Sequence, residues 1–303
     1  MVATPIGNLA DISLRALHVL ALVDCVACED TRHTQTLLRA FGIDKPAHAL
    51  LAVHQHNEAQ AALHVIDRLR GGQRVAYVSD AGTPGVSDPG ARLVAAVRAA
   101  QLRVVPLPGA SSVTTALCAA GVGSESGFDG GFVFAGFLPI KAAERASSVE
   151  QLRTEPRPVL LLEAPHRIEA LAAALAVLGD RNVTVARELT KQFEDITTTP
   201  AAALPNWFAA DTNRTRGEFV IVLHGAPQQE KTGPDLKVLV LLMAELPLKT
   251  AVRLAADITG QARNELYDAA LGLKKSAGAP NTNGGIDNKD DCEDRNGKQE
   301  GDQ

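Results

Sequence analysis

Short apolar runs alternate with amphipathic segments through the first half of the chain. The runs have the length of β-strands and are bounded by turn or capping residues: Val2–Thr4, Cys25–Cys28, Ala49–Val53, Arg74–Ser79 and Arg103–Pro106. Helical periodicity occupies Leu14–Val23, behind Ser13 as an N-cap, and the runs that start near Thr34, Glu58 and Pro89, where the proline suits a first helical turn. This alternation predicts an α/β fold whose N-terminal sheet is mostly parallel, with helices on both faces.

The pattern changes after a glycine-rich stretch at residues 121–131, which is typical of a domain boundary. Strands are predicted at Phe132–Ala135, Val159–Leu162, Val183–Ala186 and Phe219–Leu223, and their irregular spacing favours a mixed sheet. Three helical runs follow, at Leu236–Leu246, Thr250–Thr259 and Ala262–Leu271. We therefore predict an N-terminal domain over residues 1–121, a second α/β domain over 122–228, a small helical appendage over 229–275 and a disordered acidic tail over 276–303.

Composition and charge limit the class of protein but do not identify its binding partner. The sequence contains no apolar run of about 18 residues and does not start like a secretory signal, so we expect a cytoplasmic protein with no membrane association. The net charge is −5, but residues 276–303 hold seven acidic and three basic side chains, which leaves 28 acidic and 27 basic residues elsewhere. A nearly neutral body neither supports nor excludes a nucleic-acid partner.

Three loops place glycine and proline where a predicted strand gives way to a helix. They cover residues 3–11, 78–90 and 106–113. Ligands of open α/β sheets bind at this edge, although glycine and proline in any single loop can simply make a tight turn. The loops offer the hydroxyls of Thr83, Ser111 and Ser112 and the carboxylate of Asp80. Neither a P-loop nor a GxGxxG motif after the first strand occurs, so the sequence favours a small-molecule site of another kind.

Five segments together resemble a known family. They are TPIGNLADIS at residues 4–13, CEDTRHT at 28–34, VSDAGTP at 78–84, PLPG at 106–109 and ARELTK at 186–191. This combination is similar to the tetrapyrrole methylase superfamily and, more narrowly, to its ribosomal RNA small-subunit methyltransferase I branch, over about residues 2–272. The resemblance implies a two-domain tetrapyrrole-methylase-like fold that uses S-adenosyl-L-methionine and no metal. It further implies 2′-O-methylation of a cytidine in the decoding region of 16S rRNA within the small ribosomal subunit. The oligomeric state stays open, with a homodimer as one candidate.

The same resemblance assigns residues to the cofactor. Pro5 and Gly7 would form the first cofactor loop. The second loop would contribute Ser79, Asp80, Ala81, Gly82 and Thr83, with Val86 nearby, and the third would contribute Gly109, Ser111 and Ser112. Glu163, at the end of a predicted strand, would contact the cofactor from the second domain.

Polar residues elsewhere are candidates for the acceptor side. Arg32 and His33 follow a strand end, Arg167 follows a proline, and Arg187 and Lys191 belong to the ARELTK segment, so we expect these five to contact RNA. Surface ion pairing is the alternative for each of them. The candidates for a general base are Asp30, Glu163, His166 and Glu188, and the sequence does not choose among them.

Two features of the sequence depart from the family pattern, and two other functions stay open. The family's first strand begins several residues earlier, so either the true start of the protein lies upstream of Met1 or the strand over Val2–Thr4 is shortened. Residues 122–136 are longer than their counterpart. Cys25 and Cys28 have the spacing of a metal or redox pair, but we expect buried structural thiols, because an odd separation on a strand points them to opposite faces. The alternative functions are a tetrapyrrole C-methyltransferase of the same fold and a non-catalytic protein that binds cofactor or RNA.

Overall fold

The computed structural model describes residues 1–54, 57–87, 89–122, 131–227 and 236–277. By its contacts the chain divides into two units, Met1–Gln228 and Gln229–Gln303. The boundary predicted after residue 121 lies inside the first unit, next to residues outside the described ranges, and stays a prediction. The predicted acidic tail also lies outside the described residues, except for residues 276 and 277.

The first sheet of unit 1 is parallel, with the order β2-β1-β3 among the described residues. Its strands and the helices around it are α1 (Leu14–Leu22), β1 (Cys25–Cys28), α2 (Thr31–Ala40), β2 (Leu50–Ala52), α3 (Glu58–Arg70), β3 (Val75–Val78) and α4 (Ala91–Ala99). Successive side chains of the central strand point to opposite faces, so Val26 packs with Leu20 of α1 while Ala27 packs with Val65 of α3. The prediction of a parallel sheet with helices on both faces is confirmed.

Two predicted strands do not form. In place of a strand over Val2–Thr4, Val2 makes a single bridge to Leu107 and Thr4 a single bridge to Gly82; the stretch Arg103–Pro106 makes no strand either. Proline has no N–H to donate, and residues 5, 106 and 108 are all proline, so neither segment can extend a regular ladder. Both segments still cross the sheet region, since the Val2 N–H donates to the Tyr77 carbonyl at 2.9 Å.

Of the two helix starts predicted from Ser13 and Pro89, the first is confirmed and the second is wrong. The Ser13 hydroxyl accepts from the Ala16 N–H at 3.0 Å, so the predicted cap of α1 is confirmed. Pro89 does not sit in the first turn of α4, which begins at Ala91. The buried carboxylate of Glu58 instead caps that turn from α3, accepting from three backbone N–H groups of residues 90, 92 and 93 at 2.9–3.1 Å. The start of α4 is thus stabilised by a residue distant in sequence and not by the neighbouring proline.

The second sheet of unit 1 is mixed, with the order β4-β5-β8-β6-β7 in the described part of the chain. Its strands and neighbouring helices are α5 (Ser112–Ala119), β4 (Val133–Gly136), α6 (Ala142–Leu152), β5 (Val159–Glu163), α7 (Ile168–Leu175), β6 (Asn182–Arg187), β7 (Asp195–Pro200), α8 (Leu204–Ala209) and β8 (Phe219–Leu223). Strand β8 runs antiparallel to both neighbours, which confirms the mixed sheet. The edge strand β7 was missed, because Asp-Ile-Thr-Thr-Thr-Pro carries one large apolar residue.

Both faces of β8 are covered. On one face Val222 packs in a cluster with Ala116 of α5, and on the other Ile221 packs in a cluster with Leu171 of α7. A strand that is buried on both sides needs a continuous apolar run, which is the pattern of Phe219–Leu223. Packing of α5 on β8 brings the third loop, residues 106–113, to this sheet.

Unit 2 is described as α9 (Leu236–Glu245), α10 (Leu248–Thr259) and α11 (Arg263–Ala277). Its own apolar cluster includes Leu239 of α9, Val252 of α10 and Leu266 of α11. The helical appendage is therefore confirmed, although α11 extends past the predicted end at residue 271. Across the described residues, no helix combines the length and apolar character that crossing a membrane requires.

Candidate active site

A cavity of about 430 Å³ lies in unit 1, at the edge where β5 ends and β8 begins. Glu163 and Arg187, the last residues of β5 and β6, are both register partners of Phe219, the first residue of β8. Because β8 is antiparallel to both neighbours, two strand ends and one strand start meet there. The cavity is lined by Ile6, Ala81, Gly82, Thr83, Val86, Ser87, Ser111, Ser112, Phe137, Leu162, Glu163, Ala164, Pro165, Ala186, Leu189, Glu218, Phe219 and Val220.

The second predicted loop forms one wall. Gly82 has φ +79°, a conformation that favours glycine, and its backbone exchanges hydrogen bonds of 3.0 and 3.1 Å with Thr4. The buried Ser79 hydroxyl donates to carbonyls within the turn, at 3.4 Å, and does not line the cavity. Ala81, Gly82, Thr83 and Val86 do line it.

The third loop supplies donors. The Thr83 hydroxyl donates to the Ala110 carbonyl at 3.0 Å and so joins the second loop to the third. Ser111 occupies the N-cap position of α5, yet among the described residues its side chain makes no capping hydrogen bond. Ser111 and Ser112 line the cavity, so their hydroxyls and the first N–H groups of α5 are potential donors to a ligand. Gly109 stays behind the wall, where a Cβ would lie 2.7 Å from that of Ala3.

The first loop enters the cavity through a residue that sequence reasoning did not name. Ile6 lines the cavity, whereas Pro5 and Gly7 do not. A Cβ at Gly7 would lie 2.9 Å from the Thr190 hydroxyl and 3.0 Å from the Leu189 carbonyl. Gly7 therefore permits a close approach between the first loop and the ARELTK segment.

Glu163 brings a carboxylate into the cavity wall. Its side chain is fully buried, and Oε1 accepts from the Ala164 N–H at 3.0 Å. Nε of Arg167 also lies 3.0 Å from Oε1, but it is not aligned for a hydrogen bond. Oε2 is buried without a hydrogen-bond partner among the described residues. A buried oxygen of this kind is an acceptor available to a ligand.

Asp30 and Asp80 lie side by side, and neither of them lines the cavity. They follow Cys28 and Val78, which are register partners in the first sheet, and Oδ1 of Asp80 accepts from the Asp30 N–H at 3.2 Å. The Asp30 carboxylate caps α2 and pairs with Arg32 at 3.2 Å. The Arg32 guanidinium holds the pKa of Asp30 below its usual range, aided by backbone N–H groups, among them that of His33. Arg32 and His33 are both exposed.

The ARELTK segment forms a turn beside the cavity. Glu188 and Thr190 have positive φ, +51° and +65°, which is uncommon for residues other than glycine. The Glu188 carboxylate accepts from Lys191 Nζ and from the Glu218 N–H, each at 2.9 Å. Burial by itself would raise the pKa of Glu188, but these contacts hold it below its usual value. Arg187 donates to two carbonyls at 3.4 Å.

The candidates from the sequence thus separate into two groups. Those that meet at the cavity are Ala81, Gly82, Thr83, Val86, Ser111, Ser112 and Glu163. Those that lie outside its wall are Pro5, Gly7, Asp30, Arg32, His33, Ser79, Asp80, Gly109, His166, Arg167, Arg187, Glu188 and Lys191. Sequence reasoning missed mainly apolar lining residues such as Leu162, Leu189 and Val220, because an apolar residue indicates a core position equally well.

Matches to known families cover most of the chain. Residues 1–205 match the family described as Tetrapyrrole (Corrin/Porphyrin) Methylases. Residues 232–274 match the family described as the RsmI C-terminal HTH domain.

Similar proteins were found both by sequence and by structure. A protein of Pseudomonas aeruginosa named Ribosomal RNA small subunit methyltransferase I is 50% identical over 277 residues, 89% of this chain and 95% of that protein. One of the same name from Escherichia coli O157:H7 is 48% identical over 275 residues, 89% and 93% of the two chains. The solved structure of a cobalt precorrin-4 methyltransferase has a TM-score of 0.53 and 17% identity, covering 73% of this chain and 92% of that one. At that identity the structural likeness concerns the fold alone.

Proposed function

This chain belongs to the tetrapyrrole methylase family and to its ribosomal RNA small subunit methyltransferase I group, and from that premise we propose its reaction. It transfers the methyl group of S-adenosylmethionine to the 2′-hydroxyl of a cytidine in the decoding region of 16S rRNA. The observation that carries the proposal is the identity of 50% to a protein so named, over nine-tenths of both chains. The choice of a cytidine 2′-hydroxyl rests on the resemblance of the CEDTRHT, VSDAGTP and ARELTK segments.

The cavity fits a ligand with an adenosine and an amino-acid end. Its volume lies within the range of small-molecule sites, and its walls combine apolar side chains with a few polar groups. We assign the ribose and carboxylate ends to the hydroxyls of Thr83, Ser111 and Ser112 and to the N–H groups at the start of α5. Glu163 would accept a hydrogen bond through Oε2, the buried oxygen with no partner among the described residues. When bound, S-adenosylmethionine supplies an electrophilic methyl group on a positively charged sulfur.

The residues of the chain then have to orient the acceptor and take up its proton. A ribose hydroxyl is a very weak acid, and a positioned base typically contributes about 100-fold or more to the rate. Of the four candidate bases, Glu163 is the one that lines the cavity, whereas the carboxylates of Asp30 and Glu188 are engaged by Arg32 and by Lys191. Oε2 of Glu163 has two competing uses, the cofactor contact proposed above and proton transfer, and the substitution Glu163→Gln distinguishes them.

Arg32 is the best placed of the candidate RNA contacts. Its side chain is 90% exposed, and its guanidinium pairs only with another partly exposed group, Asp30, within the described residues. Arg167 is less suited, since its side chain is 17% exposed and donates to the Leu138 carbonyl at 2.6 Å. An exposed guanidinium near a cavity can pair with a phosphate in a bidentate manner.

The direct test uses purified protein, labelled S-adenosylmethionine and small ribosomal subunits from a strain lacking the gene. Nucleoside mass spectrometry should detect one 2′-O-methylcytidine per subunit, which maps to the decoding region. A parallel incubation with uroporphyrinogen tests the tetrapyrrole alternative by absorbance. Cofactor binding without any labelled product would instead support a non-catalytic protein.

A further inference from the structure

Phe137 is an aromatic side chain that lines the cavity and stays half exposed. It is 51% exposed, and it lines the cavity with Val86 and Pro165. Scattered exposed apolar residues are common on proteins and need no explanation by themselves. Its position at a cavity that also contains cofactor-type donors makes Phe137 different from such residues.

The backbone before Phe137 is shaped to direct this side chain. The pairing of β4 with β5 shifts by one residue between Phe134 and Gly136, which marks a β-bulge, and Gly136 has φ +63°. Bulges occur preferentially next to active sites, where they redirect a side chain. In a regular strand, side chains alternate between the two faces of the sheet, and this alternation would set the direction of the residue 137 side chain. The bulge interrupts the alternation just before that residue.

The segment after Phe137 is held at two carbonyls. Arg167 Nη2 donates to the Leu138 carbonyl at 2.6 Å, and Arg145 Nη1 donates to the Ile140 carbonyl at 3.0 Å. Leu138 itself is buried. The ring of Phe137 is thus carried by a fixed turn rather than by a loose loop, and the same Arg167 lies beside Glu163 of the cavity wall.

From this geometry we propose that Phe137 is the stacking platform for the base of the acceptor nucleotide, an inference that rests on the proposed function. An enzyme that modifies a nucleotide of structured RNA has to hold that nucleotide out of its stack, and aromatic side chains do so by stacking on the base. The polar donors lie on the second and third loops, where they suit the cofactor. Phe137 lines the same cavity and is half exposed, so its ring is accessible to a large substrate such as RNA.

The test compares Phe137→Leu, which keeps an apolar side chain but removes the ring, with Phe137→Tyr, which keeps the ring. Phe132→Leu is the matched control, because Phe132 precedes the same strand, is 42% exposed and does not line the cavity. For each variant we would measure cofactor affinity by calorimetry, the KM for unmethylated small subunits and the melting temperature.

Base–aromatic stacking is worth about 1–3 kcal/mol, which corresponds to roughly 5- to 150-fold in affinity. Phe137→Leu should therefore raise the KM for subunits about tenfold, with cofactor affinity and melting temperature near wild type. Phe137→Tyr should have a KM for subunits within about threefold of the wild-type value. Phe132→Leu should leave the KM, the cofactor affinity and the melting temperature unchanged. Weaker cofactor binding in Phe137→Leu would mean that the ring stacks on adenine, and an unchanged KM would mean that it stacks on nothing; either result overturns the proposal. Failure of the wild-type protein to methylate subunits would overturn the proposed function itself, and this inference with it.

Discussion

Three carboxylates near the cavity differ in how much of their hydrogen-bonding capacity the protein already uses. Asp30 caps α2 and pairs with Arg32, and Glu188 accepts from Lys191 and from a backbone N–H. Glu163 uses one oxygen, while the other has no partner among the described residues. At the scale of single residues, a carboxylate can bind a ligand through the oxygen atoms that have no hydrogen-bond partner within the protein.

Glu163→Gln tests this difference. The substitution keeps the size of the side chain but removes the charge, so it weakens the contact to a bound ligand and leaves Arg167 without its ion-pair partner. We expect the Kd for S-adenosylmethionine to rise at least about tenfold, since a charged hydrogen bond is worth about 1.5–3 kcal/mol. Calorimetry measures this, and Glu169→Gln, at an exposed residue of α7 that does not line the cavity, serves as the control. An unchanged Kd with lost turnover would assign Glu163 to proton transfer rather than to cofactor binding.

Arg32→Ala separates RNA contact from loop support. We expect weaker binding of small subunits and a flatter salt dependence, because fewer counterions are released per complex. The melting temperature should hardly change, since an exposed ion pair contributes about 1 kcal/mol or less. Arg39→Ala, which removes an exposed arginine from the same helix, is the control. If the melting temperature and the cofactor affinity fell together while RNA affinity stayed at the wild-type value, Arg32 would only support the loop.

At the scale of elements, the cavity depends on loops that approach each other through glycine. Gly82 lies in the left-handed region, and a Cβ there would lie 3.2 Å from Cγ2 of Ile6. Gly7 meets the ARELTK turn as closely. Side chains at these positions would separate the first loop from the second loop and from the ARELTK turn, which lie far from it in sequence.

Gly82→Ala and Gly72→Ala form a matched pair. Both glycines have φ near +80°, but a Cβ at Gly72 would meet open space. Each substitution should lower the free energy of unfolding by about 1–2 kcal/mol, the cost of the left-handed conformation. Only Gly82→Ala should also weaken S-adenosylmethionine binding, by about fivefold or more, because Ile6 must move. Denaturant titration and calorimetry give the two quantities, and equal cofactor affinity in both variants would contradict the role given to the second loop.

At the scale of the whole molecule, stability depends on the burial of the first sheet. Strand β1 is fully buried, and Cys25 and Cys28, predicted as structural thiols, are both inaccessible. Burial raises the pKa of Cys28 from 9.0 to about 11. The thiol therefore keeps its proton in the folded protein at a pH where the unfolded chain loses it.

This pKa predicts a loss of stability at high pH. Below pH 9 the Cys28 thiol is protonated in both states, so its contribution does not vary. Between pH 9 and 11 only the unfolded chain ionises, so the free energy of unfolding should fall by about 2–3 kcal/mol. Cys28→Ala should have a lower free energy of unfolding at neutral pH, but that free energy should fall less between pH 9 and 11 than in the wild type. Cys118→Ala, at an exposed thiol, should show the same pH dependence as the wild type. Parallel pH curves for wild type and Cys28→Ala, from urea titration, would rule the effect out.

The sequence by itself determined the features that depend on local pattern. Apolar runs predicted strands β1 to β6 and β8, the parallel first sheet and the helical appendage, because burial on one or both faces leaves a periodic signature. The VSDAGTP segment predicted one cavity wall, since the glycine turn and its neighbours are consecutive residues.

The tertiary structure alone decided which strand ends meet. The antiparallel direction of β8 sets Phe219 opposite Glu163 and Arg187, and nothing local in the sequence encodes strand direction. The sequence also could not predict whether a carboxylate already has hydrogen-bond partners. Glu188, for example, accepts from the N–H of residue 218, which is 30 positions away. Apolar lining residues and core residues look alike in sequence, since both are driven out of water by the same effect, and only packing leaves some of them facing a cavity.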